Sequence, residues 1–138
     1  VTAVVGFTAG ERFGFSVRAV VVGSPSASTS ASSFCTLALM GSSTVFSAWD
    51  GERLVGLVRV LDDTEMVAYM HYVLVDPEYQ GRGIAGHLVG MVKQRYHDYL
   101  YIEVMPEESK NATFYEKHGF HIMEDGVAMQ ICNPGERH

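Results

Sequence analysis

The chain has 138 residues, 47% of them apolar and 19% charged, with a formal net charge of −6 at pH 7. This length holds one domain with a sizeable core, and the composition excludes a disordered or fibrous chain. The acidic balance argues against a nucleic-acid partner, which asks for a basic face.

No apolar run reaches spanning length and the chain does not open on a signal-peptide layout, so a cytoplasmic protein with no membrane partner is expected. Cys35 and Cys132 are few and far apart, and read as free thiols of a reducing compartment.

Val1 to Phe7 reads as a short edge strand, and Glu11 to Val22 fits a strand or a helix equally well. From Gly23 to Ser33, seven of eleven residues are Ser or Thr; they bury little and bond their own backbone, so a mobile loop is expected. Ser33 caps a short helix through Phe34, Leu37, Ala38 and Met40, stopped by Gly41. Residues 1–43 are thus the atypical part of the single domain. Thr44 to Trp49 and Arg53 to Leu61 are strands joined across Asp50-Gly51, a strong hairpin signal.

Asp62 to Glu65 makes a polar turn, and Met66 to Val75 is a strand apolar on both parities, as for a central strand covered on both faces. Asp76-Pro77 ends it. Ile84, Leu88, Met91, Val92 and Tyr96 then fall at helical spacing. Tyr99 to Met105 is a further strand ended by Pro106. A helix follows from Glu107 to about His118, where Gly119 takes the left-handed cap. Phe120 to Met123 and Gly126 to Ile131 form a final hairpin. Met66, Met70, Met91, Met105, Met123 and Met129 read as core filler. The whole is α+β: a mixed, largely antiparallel sheet of six or seven strands with helices on both faces.

The stretch with most chemistry is Gln80-Gly81-Arg82-Gly83-Ile84-Ala85-Gly86, between a strand and a helix. The first N–H groups of a helix lack internal partners, and the dipole adds positive character there, so an anion is favoured. Gly81 and Gly83 remove Cβ atoms that would hold phosphates off, and Arg82 adds a fixed charge. The loop lacks both the G-x-x-x-x-G-K-[ST] spacing of a mononucleotide P-loop and the G-x-G-x-x-G of a dinucleotide site. His87, His97, His118 and His121 show no metal-ligand spacing, so no metal is expected.

Gln80-x-x-Gly83-x-Ala85 after a V-x-V-x-P strand end resembles the acetyl-CoA signature Q/R-x-x-G-x-G/A of the GNAT superfamily of N-acetyltransferases. Asn111 to Phe120 (NATFYEKHGF) resembles the same family's N-x-x-x-F-Y-E-x-x-G-F segment, with one residue fewer between Asn111 and Phe114, and together the likeness spans about two-thirds of the chain. It implies acetyl transfer from acetyl-CoA to a primary amine by direct attack in a ternary complex. It further implies that the backbones of Val73, Leu74 and Val75 take the pantetheine arm, that Gln80 to Gly86 cradle the pyrophosphate, and that Asn111 contacts the cofactor. Tyr115 would be the general acid, since a phenol is protonated at neutral pH; without the resemblance it reads as an amphipathic core residue.

For the base, His71 has a suitable titration range and shares a face with Val73 and Val75 unless a bulge intervenes. Glu103, a carboxylate inside YIEVM, competes; Tyr72 comes third, and no dedicated base is a further alternative. The acceptor, a small-molecule or peptide amine, is unreadable, because the family's two N-terminal helices are hard to place here. The rivals are a non-catalytic acyl-CoA-binding module on the same fold and a nucleotide-binding domain unrelated to CoA. Relatives often pair through C-terminal strands, which implies a homodimer.

Overall fold

A computed structural model describes residues 3–5, 16–21 and 38–133. The chain divides into two compact units, Val1–Val104 and Met105–His138. In the first, strands β1 (Ala3–Val5), β2 (Ser16–Val21), β3 (Thr44–Asp50), β4 (Arg53–Asp62), β5 (Val67–Val75) and β6 (Tyr101–Val104) lie side by side in chain order. Neighbours are antiparallel up to β5, and β5 and β6 run parallel. A parallel pair needs a crossover, and helix α1 (Ile84–Arg95) provides it. The architecture is mixed α+β.

The β3–β4 hairpin turns where Asp50-Gly51 predicts, with Gly51 at φ +59° and Asp50 opposite Arg53. The β4–β5 turn is held by one carboxylate. Asp63 Oδ1 accepts from the backbone N–H groups of Glu65, Met66 and Val67 at 3.0, 2.7 and 3.0 Å. These bonds favour the ionised form and hold Asp63 below the usual carboxylate range.

One face of the sheet meets α1. Cross-strand partners share a face, so Thr44/Val60, Phe46/Val58 and Val60/Met70 put Thr44, Phe46, Val58, Val60 and Met70 on that side. All five are buried, with Ile84, Leu88, Val89 and Val92 of α1. Gly56 lies where the helix comes closest: a Cβ there would stand 3.0 Å from Ile84 Cγ2 and 3.3 Å from the Leu74 carbonyl oxygen. Just past the helix end, Tyr96 is fully buried, its hydroxyl 2.7 Å from Thr44 Oγ1 and donating to Asp62 Oδ2 at 2.7 Å. Burial is the main cause that pushes this phenol up.

The second unit holds a 3-10 turn, Ser109–Asn111, and a short helix α2 (Ala112–Lys117), with Gly119 at φ +90° as the expected left-handed cap. The predicted helix from Glu107 is therefore shorter and begins as 3-10. The predicted C-terminal hairpin is not formed. A turn survives, with Gly126 N–H donating to the Met123 carbonyl at 3.0 Å, but residues 120–133 contain no strand. Val127, Met129 and Ile131 are 84%, 91% and 87% exposed. Alternation selects a face only when a neighbouring strand supplies the ladder, and among the described residues the second unit contains none. The methionine reading is corrected as well: Met70 is core, but Met66, Met105, Met123 and Met129 are exposed. Cys132 is an exposed free thiol. Cys35, the Ser/Thr-rich loop and the Ser33 cap lie outside the described residues, whereas 38–40 form a helical turn ended at Gly41.

Candidate active site

The site begins with an interruption in β5. Its register against β4 runs Met70 to Val60 and His71 to Arg59, then jumps to Val73 opposite Val58. Tyr72 is the extra residue, at φ +63°. Such a bulge resets the alternation. Val73 and Val75 therefore sit on the α1 side with Met70, and His71 sits on the opposite side. The exception allowed for in the sequence, an intervening bulge, is what occurs: His71 does not share a face with Val73 and Val75, and the positive φ at Tyr72 is the reason.

The bulge also marks where β5 loses a neighbour. Pairing with β6 ends at Met70 opposite Val104, so among the described residues Val73, Leu74 and Val75 have a strand partner on the β4 side alone. Leu74 is 53% exposed. A strand end with one open edge offers backbone donors and acceptors to an extended ligand.

The chain then turns into α1. Asp76 caps a 3-10 turn, Pro77–Tyr79, by accepting from Glu78 N–H at 2.9 Å, and it pairs with Arg53 at 2.9 Å. Both contacts, the backbone bond first, lower its pKa. Tyr79 donates to Asp50 Oδ2 at 2.6 Å, and the Arg82 guanidinium lies 4.7 Å from the Tyr79 ring centre. Gln80 is extended, its amide donating to the Val75 carbonyl at 3.3 Å. The turn before the helix is thus tied to the β3–β4 hairpin by named bonds.

Gly81 and Gly83 both stand at φ +80°, and nothing lies within 4 Å of where their Cβ atoms would be. Only glycine adopts this conformation without strain, and two such residues separated by one leave a concave, open stretch of backbone. Gly83 is the N-cap of α1 with no side-chain cap, and the first helical bond runs from His87 N–H to the Gly83 carbonyl at 3.0 Å. The N–H groups of Ile84, Ala85 and Gly86 consequently precede any internal acceptor. Ile84 buries its side chain under the sheet while its backbone opens the helix. These residues fit a pyrophosphate: unpaired donors, a helix dipole, room, and Arg82 beside them.

On the sheet face away from α1, the described residues against His71 include three groups. Arg59 Nη1 donates to His71 Nδ1 at 2.6 Å, the Tyr72 ring lies 4.0 Å away between centroids, and the Tyr69 ring 6.1 Å. A guanidinium only donates, so Nδ1 is the acceptor and the ring proton sits on Nε2. Glu103 pairs in register with Tyr69, which places it on the same face as His71; its side chain is exposed. The two candidate bases therefore share a face, and neither shares it with Val73.

In the second unit, Asn111 is the N-cap of α2 with helical dihedrals (φ −78°, ψ −11°), so the four-residue spacing to Tyr115 holds. Asn111 is exposed. Tyr115 is 9% exposed, with Phe114 and Phe120 edge-on at 5.0 and 5.7 Å. Desolvation raises its pKa, which keeps the hydroxyl protonated well past neutrality. Arg59 escaped the sequence reading, and the bulge was allowed for there but not placed at Tyr72. An arginine inside the apolar run LVGLVRVL was the available signal for the first; the second has no compositional sign. Among the described residues no cluster of metal-ligating side chains occurs, and no helix is long and apolar enough to cross a membrane.

The acetyltransferase (GNAT) domain family matches residues 41–122, which takes in the cradle, the bulged strand and α2. Among solved structures, a GNAT-family acetyltransferase of Streptococcus pneumoniae is 28% identical, covering 72% of this chain and 77% of its own, with a TM-score of 0.64. A protein of unknown function from meticillin-resistant Staphylococcus aureus shares the fold at 21% identity and a TM-score of 0.66, over 72% and 77% of the two chains. A GNAT-family protein of Xanthomonas campestris is 25% identical over 75% and 73%, with a TM-score of 0.56. No curated protein matches in sequence. With more than half its length matched by one family, and the cradle and α2 segment inside that match, this chain belongs to the GNAT acetyltransferases, which move an acyl group from acyl-CoA.

Proposed function

We propose that this protein transfers the acetyl group of acetyl-CoA to a primary amine by direct attack in a ternary complex. The observation that carries the proposal is the paired left-handed Gly81 and Gly83 at the open start of α1, directly after a strand end with one free edge. Acetyl-CoA brings an activated thioester; the protein has to hold it, orient it and manage two protons. The N–H groups from Gly81 to Gly86 and the Arg82 charge hold the pyrophosphate. The backbone of Val73, Leu74 and Val75 aligns the pantetheine arm as an added strand would be aligned, and Asn111 adds a polar contact.

Tyr115 donates the proton to the departing thiolate. This role rests on the likeness of its segment to the family's, and its burial keeps the donor charged with its proton. On the amine side, His71 Nδ1 is engaged by Arg59, so Glu103 is the base we favour, acting through water from the same face. His71 then positions rather than abstracts.

The test is calorimetric titration with acetyl-CoA followed by thiol release with a panel of amines. Binding and amine-dependent release are expected. Binding without release from any amine would return the protein to a non-catalytic acyl-CoA module. In the same assay Tyr115→Phe should lower turnover by about a hundredfold or more while acetyl-CoA affinity stays within a factor of about two. Equal turnover would remove the acid role.

A further inference from the structure

Among residues 38–133, Arg59 is the one Lys or Arg that is not exposed. It projects from the middle of β4 onto the sheet face opposite α1. Its guanidinium is held from two sides by neutral groups. Nε donates to Ser42 Oγ at 2.9 Å, and Nη1 to His71 Nδ1 at 2.6 Å. Ser42 is itself fixed: it is buried and donates to the Ala38 carbonyl at 2.8 Å. The Tyr72 ring, turned onto this face by the bulge, lies 6.0 Å from Arg59 Cζ.

Among the described residues no carboxylate accompanies this charge. The ion pairs among the described residues involve Arg53 and Lys110, and Glu103 on the same face makes none with Arg59. A half-buried guanidinium clamped in one orientation by a serine and a histidine, with its remaining donors facing no acid, is a poor structural element. Burial of charge is unfavourable unless an opposite charge answers it. Two neutral acceptors also preserve the full positive charge, whereas a carboxylate would cancel it. The fork geometry suits a planar or tetrahedral oxyanion. The chain's net charge of −6 repels anions generally, so an anion arriving here needs a specific site.

We propose that the acceptor is an amine that also bears an anionic group, a carboxylate or a phosphate, and that Arg59 is the specificity-determining residue that binds it. Tyr69 and Tyr72 wall the site, and His71 sets the guanidinium's orientation. This rests on the N-acetyltransferase reading for its place in the reaction, but the anion site itself is testable without turnover.

The experiment uses matched pairs: tyrosine against tyramine, phenylalanine against phenethylamine, and glucosamine 6-phosphate against glucosamine. Binding of each is followed by protein NMR without acetyl-CoA, and kcat/KM with it, in wild type, Arg59→Gln, Arg59→Lys and Arg59→Glu. The anionic member of the carboxylate or the phosphate pair should be preferred by about ten- to hundredfold, and which pair shows it identifies the anion. Arg59→Gln should collapse that ratio, Arg59→Lys restore part of it, and Arg59→Glu invert it. Shifts of the Arg59 side-chain and His71 ring signals by the anionic member alone would support the site even if no amine is turned over, an outcome that would sink the transferase reading instead. Equal preference within every pair, or a loss in Arg59→Gln that falls equally on both members, overturns the proposal and leaves Arg59 a structural residue.

Discussion

Gly83 stands at φ +80° with empty space where a Cβ would be, so a side chain there strains the backbone and also takes room from a ligand. Gly83→Val should weaken acetyl-CoA binding by about tenfold or more, with circular dichroism unchanged; calorimetry checks it, and retained affinity would mean the loop is only a turn. Asp63 is a different single-residue dependency. Its folded pKa is lowered by the backbone bonds of Met66, Val67 and Glu65, so its contribution is complete above the unfolded carboxylate value of about 4 and is lost as pH falls through the folded value. The urea midpoint of Asp63→Ala should lie below wild type at pH 7, and the gap should close under acid. A gap that persists at the lowest pH would assign the loss to packing. The glycines were legible in the sequence because glycine has few other reasons to recur at that spacing. Tyr72 was not, because a tyrosine at positive φ is imposed by its surroundings and leaves no trace in composition.

Among elements, the contact between α1 and the sheet sets the tightest tolerance. Gly56→Val would drive a side chain into Ile84 and Leu88 and the Leu74 carbonyl, and should lower stability by about 1–3 kcal/mol in urea unfolding. Because Leu74 belongs to the proposed pantetheine strand, the same change should weaken acetyl-CoA binding; a variant destabilised with affinity intact would separate the two. Tyr96→Phe removes the hydroxyl shared with Thr44 and Asp62 and should cost about 1–3 kcal/mol. Elements whose signal is local were readable: the Asp50-Gly51 hairpin, and the four-residue ladder of Ile84, Leu88, Val92 and Tyr96. The C-terminal hairpin was misread because its pattern, Ile122 to Ile131, describes a side-chain rhythm and says nothing of whether a ladder partner exists. Arg59 was overlooked for a related reason: on a strand, only the register shows what a charge faces.

For the whole molecule, ligand linkage gives the broadest test. Acetyl-CoA at a hundred times its dissociation constant should stabilise the fold by about 2.7 kcal/mol, read as a rise in melting temperature; no rise in a folded sample would remove the cofactor assignment. Family membership was readable because it rests on two short segments, the loop at Gln80–Ala85 and the helix at Asn111–Phe120, whose residue types are fixed by backbone demands and chemistry. The proposed acceptor class was not, since the proposal rests on one arginine and on which face of β4 it occupies.

The order of the strands has a kinetic consequence. From β3 to β5 each strand lies against the next across a tight turn, so these pairings close short loops and call for little chain entropy before contacts form. The distant steps are β2, which pairs Ser16–Val20 with Val45–Trp49, and β6, which joins β5 across the intervening helix at Val67–Met70 against Tyr101–Val104. Refolding should therefore begin in the β3–β4–β5 meander, with mutations at Phe46 or Val58 slowing it. Changes at Ile102 should instead speed unfolding, because the β5–β6 seam forms after the barrier and is the first to part. The open edge beside Val73 to Val75 would then belong to the last-formed and least cooperative margin of the sheet.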